Sequence, residues 1–516
     1  VLNLLGGYYV SKKITSLSIL AFLLIFIGGC GGSGHSSTTT NEVPVVVTIS
    51  DQPSTLGVLS FDLQITGACL LTSANATATT CSGAQSLFPA NQGTITAQLD
   101  NVQTSQQSDV LATGTVEPGT YTAILITFGT ATAAVNVDPG TTATDTATPP
   151  HSCTAAATPV VCELSPTLTA TSVNLPFTSP VMLAAGQPVD FGIDFNVSDS
   201  LVEATAGATN TFTITPAVLV SATTSAGSDG NLIDVSNVTG TVTAVHTSSF
   251  TMTDSTTGQP VTLALATGST STVFNGFGSC TSSNLSCIQT GQIVTVNFGV
   301  SDTNPLVLTA SSITDNSAFQ DTQAFQGTVV ETGATPMVFV TGVPAGNTQG
   351  VAVGQTLTIV PPTTSPGFSI AVPAGQTLPA NVSFAGAGDL VVGQNVMVDS
   401  TGITTAGSVS TATADQIILE PTQFNGSVSA ITSPNLTVNG LNNFFADNQI
   451  TSMQVQTGTQ TTFGGTVATT GFNGITVGDQ ANFDGFLFNG GVGQPPIFFD
   501  EDVFDNGTTP AVKKSN

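Results

Sequence analysis

The side chains with chemical reach are few: seven cysteines, three histidines and 31 carboxylates, against only four lysines and arginines in 516 residues. Nucleophilic catalysis needs an activated Ser or Cys with a base beside it, and the available bases are His35, His151 and His246. Ser and Asp are so common that a Ser-His-Asp set around His151 or His246 would arise by composition alone. A structural or surface role is therefore the reading for each histidine. Paired carboxylates can cleave glycosidic bonds, but the chain has no Trp, and past residue 10 its one tyrosine is Tyr121, which follows a Pro118-Gly119 turn and reads as packing. The densest acidic run is Asp500-Glu501-Asp502 with Asp505 close by. Oxygen ligands suit calcium, yet this spacing does not match an EF-hand loop. A solvated strand end is the expectation, with calcium at Asp500, Glu501, Asp502 and Asp505 as the alternative. No catalytic residue is expected, and no cofactor other than that calcium.

The cysteines divide into Cys30 and three close pairs: Cys69 and Cys81, Cys153 and Cys162, Cys280 and Cys287. Local pairing is the simplest of the 15 ways to join six cysteines. Each such ring, if unstrained, stabilises by ~3 kcal/mol. A zinc site is disfavoured, because no C-x-x-C occurs and His151 is the only histidine near a pair. Disulfides imply an oxidising compartment.

Cys30 has a different setting. Lys12 and Lys13 precede an uncharged segment from Ile14 to Ile27, which ends in Gly28-Gly29-Cys30. That is the layout of a secretory signal peptide, and with cysteine directly after two small residues it resembles the lipobox of bacterial lipoproteins. The resemblance implies cleavage after Gly29, lipidation of the Cys30 thiol and acylation, palmitate included, of the new N-terminus. The competing reading is a transmembrane anchor, but the apolar core from Leu17 to Ile27 is well short of the roughly 20 residues that span a bilayer. Residues 31–42 form a Gly/Ser/Thr-rich tether that reaches roughly 20 Å as a flexible coil; His35 is a passenger in it. Gly31 stands where well-studied inner-membrane lipoproteins carry aspartate, so the analogy favours the outer membrane, on its periplasmic or its outer face. The chain opens on Val1 with no Met before Met182, as expected of a non-ATG start or an overcalled upstream start.

Charge excludes whole classes of function. Only 7% of residues are charged, and between Lys13 and Lys513 there is no Lys or Arg. Nucleic-acid binding needs cations to neutralise phosphates, so it is excluded. Arg clamps and Schiff-base lysines fall by the same absence. Direct contact with anionic headgroups or acidic polysaccharides is disfavoured too. The partners that remain are the membrane, reached through a lipid on Cys30, and an unspecified envelope or extracellular protein or glycan. A chain rich in Thr, Ser, Val, Gly and Asn, with ordinary hydrophobicity, favours strands and turns over helices, and the expected fold class is all-β.

The elements that would position these residues follow from periodicity. Phe61, Leu63 and Ile65 alternate with Asp62, Gln64 and Thr66; Phe191, Ile193, Phe195 and Val197 alternate with Gly192, Asp194 and Asn196. A period of two marks strands with one buried face. Several such strands between Gly/Pro turns predict a β-sandwich over residues 43–222. The segments Val47-Thr-Ile-Ser-Asp51, Val116-Glu-Pro-Gly-Thr-Tyr-Thr-Ala-Ile124, Pro188-Val-Asp-Phe-Gly-Ile-Asp-Phe195 and Phe212-Thr-Ile-Thr-Pro216 resemble, in this order, a family of uncharacterised bacterial lipoproteins with an N-terminal sandwich of unknown function. The resemblance implies no catalytic set.

After a Ser/Gly linker (residues 221–230) three segments open alike, at Gly240-Thr-Val-Thr-Ala244, Gly327-Thr-Val-Val-Glu331 and Gly426-Ser-Val-Ser-Ala430. Each has a later glycine turn into a strand: Gly291-Gln292, Gly393-Gln394 and Gly478-Asp479. The openings recur at roughly 90–100 residues, longer than a solenoid period of 20–50, and suit small independent β-domains. They resemble a second uncharacterised family of small tandem barrels, OB-like in topology. Repeats are expected over 223–321, 322–421 and 422–507, with a tail from 508 to 516. The third is divergent and rich in Phe and Gly between Phe483 and Phe504. Barrels of this kind often bind nucleic acid or sugars through basic grooves and aromatic platforms, neither of which this chain offers.

These readings converge on a lipid-anchored cell-envelope protein of structural, adhesive or surface-display type. A binding lipoprotein for a neutral small ligand, glycan or calcium is the alternative, and a hydrolase is third.

Overall fold

The computed structural model describes residues 42–505 apart from 52–56, 90–91, 100–107, 157–159, 228–229, 268–270, 278–283, 316–323, 344–349, 364–366, 371, 373–376 and 407–408. The segment expected to be a signal peptide, together with Cys30, His35 and Cys280, thus lies outside the described residues. Strands dominate, and the fold is all-β: an N-terminal sandwich followed by three small barrels.

One sheet of the sandwich runs in the order Val218–Thr223, Val189–Phe195, Val43–Ser50, Asp109–Val116, with the two middle strands parallel. The other is built around two long antiparallel strands, Val58–Leu71 and Gly119–Val137, flanked by Ser172–Leu183. Alternation sorts their residues as expected: Phe61, Leu63 and Ile65 are buried with Phe191, Ile193 and Phe195 in one core. The Phe195 ring contacts those of Phe61 and Phe128 at 5.8 and 5.9 Å between centroids. Tyr121 packs in this core, and its hydroxyl donates to the Glu117 carbonyl at 2.8 Å. That backward bond anchors the turn as tyrosine corners do in sandwiches. A third, smaller sheet, Leu201–Ala206, Thr209–Ile214, Thr142–Asp145 and Ser152–Thr154, adds to the two that periodicity suggested.

Each barrel closes five strands in the order 3-2-1-4-5, with strand 3 returning to pair in parallel with strand 5. In the first these are Asn231–Val245, Ser249–Asp254, Pro260–Leu265, Ile293–Ser301 and Leu308–Asp315. In the second they are Phe325–Glu331, Met337–Gly342, Thr356–Val360, Asn395–Ala406 and Val409–Glu420. In the third they are Thr422–Thr432, Asn435–Asn439, Ser452–Gly465, Gln480–Phe488 and Ile497–Asp505. This closed five-strand ring has OB topology.

The repeated glycines have a physical cause. At Gly240, Gly327 and Gly426 the neighbouring strand approaches so closely that a Cβ would strike the carbonyl of Thr253, Phe339 or Asn439. Gly291, Gly393 and Gly478 adopt φ of 92°, 94° and 100°, the left-handed region that glycine enters without steric cost. Each donates its N–H to the first strand, to Val242, Val329 and Val428 at 2.7, 2.9 and 2.8 Å. The next residue then caps the turn. Gln292 Oε1, Gln394 Oε1 and Asp479 Oδ2 accept from the backbone N–H three positions earlier, at Gln289, Val391 and Thr476.

The barrels are less independent than their spacing suggested. The described residues from Glu42 onward form one compact unit. Strand Gln480–Phe488 of the third barrel is buried on both faces. Phe483 and Leu487 sit in that barrel's own core, whereas Phe486 and Phe488 pack into the core of the second. The Phe-rich divergence of the third repeat is thus the sequence of a strand with two apolar environments.

Candidate functional site

His151 and Asp145 are brought together. His151 Nδ1 lies 2.7 Å from Asp145 Oδ2. The same buried carboxylate accepts the backbone N–H groups of Ala147, His151 and Ser165 at 3.0, 3.0 and 2.7 Å. Burial alone would raise the Asp145 pKa, but these bonds outweigh it and hold the group below the ordinary carboxylate value. A Ser-His-Asp set needs a hydroxyl on the other imidazole nitrogen; among the described residues none bonds His151 Nε2. The pair instead closes the loop that also carries the Cys153–Cys162 disulfide. His246 is exposed in a hairpin of the first barrel, with Nε2 3.2 Å from Thr251 Oγ1.

Two expected disulfides are formed, Cys69–Cys81 and Cys153–Cys162, with Cα atoms 5.7 and 6.0 Å apart. Cys287 is buried and disulfide-bonded. The acidic run needs a correction: Asp500 is not at a solvated strand end but fully buried. Its strand lies inside the third barrel, paired with Thr457 on one side and Gly485 on the other. Glu501, Asp502 and Asp505 share that strand, but their side chains lie outside the described residues. Among the described residues no group of three or more His, Cys, Asp or Glu is placed to hold a metal ion.

The electrostatically unusual groups are other carboxyls, and the sequence reading passed over most of them. Asp190 and Asp194 occupy the face of their strand opposite Phe191 and Ile193, but Asp190 is only 1% exposed. Burial raises its pKa to about 7, against a 2.9 Å hydrogen bond from Thr48 Oγ1. Asp194 is raised by the same cause, with Ser50 as its donor. Glu420 in the second barrel is raised to about 7 by burial beside Gln326.

Two further carboxyls meet partners of their own sign across domain boundaries. Asp109 begins a sandwich strand and Asp254 ends a strand of the first barrel; both are buried. Burial pushes Asp109 well above the usual range, and the facing Asp254 charge adds to this. Asp254 is raised to about 6 by burial, against hydrogen bonds from the Thr257 hydroxyl and the Thr256 N–H, both 2.7 Å. At the other boundary Asp447, at the end of the short helix Asn443–Asp447 in the third barrel, is raised to about 6 by burial and by a hydrogen bond to Asp138 of the sandwich. Asn136 Nδ2 donates to Asp447 Oδ2 at 2.8 Å. Glu203, Asn210 and Asn443 line the same cleft. No periodicity could have located them, because each pair joins residues more than a hundred positions apart.

No family model and no curated protein matches this chain. Among solved structures it is similar to a fragment titled drosophila Unr CSD456, at 11% identity and a TM-score of 0.13, over 51% of this chain and 94% of that one. It is also similar to a multidomain protein with nucleic acid binding domains from Streptococcus pneumoniae, at 11% identity and a TM-score of 0.10, over 54% of this chain and 74% of that one. Likeness this weak carries no argument; the OB topology rests on the strand pairings themselves.

Proposed function

We propose that this protein is a lipid-anchored component of the bacterial cell envelope, held at the outer membrane through Cys30, whose all-β ectodomain serves a structural, adhesive or display role. The observation that carries this reading is the run Ile27-Gly28-Gly29-Cys30 behind a basic and apolar leader and ahead of a Gly/Ser/Thr tether. Two features support it. The local disulfides suit an oxidising compartment, and among the described residues the first strand starts at Val43, directly after the stretch read as a tether. Nucleic acid is not the partner: a phosphate backbone would meet OB-type barrels with 31 acidic residues in the chain and no Lys or Arg within them. The reading is non-enzymatic, with the lipid bilayer as first partner and an envelope or extracellular protein or glycan as second.

The experiment is metabolic acyl labelling with membrane fractionation of wild type and Cys30→Ser. The reading expects labelled wild type in the membrane fraction and unlabelled variant in the soluble one. Unlabelled, soluble wild type would refute it.

A further inference from the structure

One row of side chains on the second barrel places a hydroxyl, an amide and a carboxyl in line. Thr328, Asn395 and Glu420 stand directly opposite one another on its first, fourth and fifth strands, so the three share a face. Thr328 is buried, and its hydroxyl donates to Asn395 Oδ1 at 2.9 Å across 67 residues of chain. Asn395 Nδ2 donates to the Pro421 carbonyl at 3.1 Å, and its backbone N–H to Thr422 Oγ1 at 2.9 Å. These bonds turn the amide oxygen to Thr328 and the amide nitrogen to the residue beside Glu420. Gln326, packed over Gly342 where a Cβ would come within 2.8 Å of its Oε1, donates from Nε2 to Glu420 Oε2 at 3.2 Å.

The barrel does not require this row. In the first barrel the place of Asn395 is taken by Ile293, opposite Thr241. The third keeps a hydroxyl and an amide there, Ser427 opposite Gln480. A hydroxyl against an amide carbonyl can undergo acyl transfer when a carboxyl beside them takes the hydroxyl proton and returns it to the departing nitrogen. Burial raises Glu420 to about 7, so near neutral pH it exists in both forms, as that exchange needs. The amide cross-link that a lysine could form with Asn395 is closed to this chain, which has no Lys between residues 14 and 512. The available nucleophile is a hydroxyl.

We propose that Thr328 and Asn395 join in an intramolecular ester, a self-formed cross-link between the first and fourth strands of the second barrel, with Glu420 as the proton carrier. Thr328 Oγ1 attacks Asn395 Cγ, one bond beyond the oxygen it already contacts. The Oγ1–Cγ bond forms and the Cγ–Nδ2 bond breaks. The hydroxyl proton passes to Glu420 and on to Nδ2, which leaves as ammonia. Glu420 ends as it began, and no oxidant, reductant or co-reactant is consumed. The two strands otherwise pair only over Phe325–Thr328, and the ester fastens the last pair of that short ladder. This modification goes beyond the envelope role and does not depend on Cys30.

The test is mass spectrometry of peptic peptides from the full chain, since trypsin has no site between residues 14 and 512. The proposal expects wild type to yield a branched species joining the peptide around Thr328 to that around Asn395, lighter than the two together by one ammonia. Mild hydroxylamine, which cleaves esters and spares ordinary amides, should separate it. Thr328→Ser should keep the link, whereas Thr328→Val and Glu420→Gln should lose it, with circular dichroism confirming that the strands remain. The proposal is overturned if wild type gives only linear peptides at their sequence masses, or if Asn395 is recovered as Asp without a branch. It is also overturned if the branch resists hydroxylamine, or if Glu420→Gln links as fully as wild type.

Discussion

Gln394 Nε2 donates to the Leu487 backbone carbonyl at 2.8 Å, and with this bond a turn of the second barrel holds a strand of the third. The side chain is fully buried, and its Oε1 also accepts the Val391 N–H at 2.7 Å. One residue therefore caps its own turn and ties two barrels together. Gln394→Ala leaves a buried carbonyl and a buried N–H without these partners, a loss of about 2–3 kcal/mol. Hydrogen exchange should show lower protection in both barrels at once, with the sandwich unchanged. Loss confined to the second barrel would refute the coupling.

Phe486 tests the shared core from the apolar side. It belongs to a third-barrel strand but is buried in the second barrel's cluster beside Phe488 and Phe499. Phe486→Ala should destabilise by about 3–5 kcal/mol, and the thermal transitions of the two barrels should fall together. Phe250→Ala, in the core of the first barrel, should leave that joint transition in place.

Asp190 should behave oppositely to an ordinary ion-paired carboxylate. Its pKa is raised in the fold, so its contribution is complete below about 3.8 and is lost as pH climbs through about 7. Asp190→Asn should then stabilise the protein at pH 8, by up to ~4 kcal/mol, and leave it nearly unchanged at pH 4. Denaturation midpoints at the two pH values decide the matter; equal effects at both would contradict the assignment.

Asp145 carries the reverse sign. Its pKa is held below the ordinary value by the Ser165, His151 and Ala147 donors against burial. Its stabilisation is present above about 3.8 and disappears as pH falls through the lower folded value. Asp145→Ala should deprotect the Ala147 and Ser165 amides and weaken the loop by about 2–3 kcal/mol, with exchange rates as the readout. Unchanged protection at those two amides would contradict the role given to Asp145.

Much of the fold is legible locally. Alternation around Phe61 and Phe191 finds strands because period two is imposed by the pleat. The recurrent glycines find barrels because close strand approach at Gly240, Gly327 and Gly426, and left-handed turns at Gly291, Gly393 and Gly478, admit little else. Sequence proximity anticipates the Cys69–Cys81 and Cys153–Cys162 bridges. Periodicity says which residues share a face, however, not what covers that face. Asp190 shares its strand's polar face yet is buried. Asp500, expected at a solvated end, sits in a strand paired on both sides. The facing carboxyls Asp109 and Asp254 became visible only when distant segments met.

The central claim concerns Cys30, and the most direct measurement is mass spectrometry of the N-terminal peptide of membrane-extracted protein. The account predicts a peptide that begins at Cys30 and carries thioether-linked diacylglycerol and an amide-linked acyl chain. A peptide that retains Ile27-Gly28-Gly29 ahead of an unmodified Cys30 would contradict it.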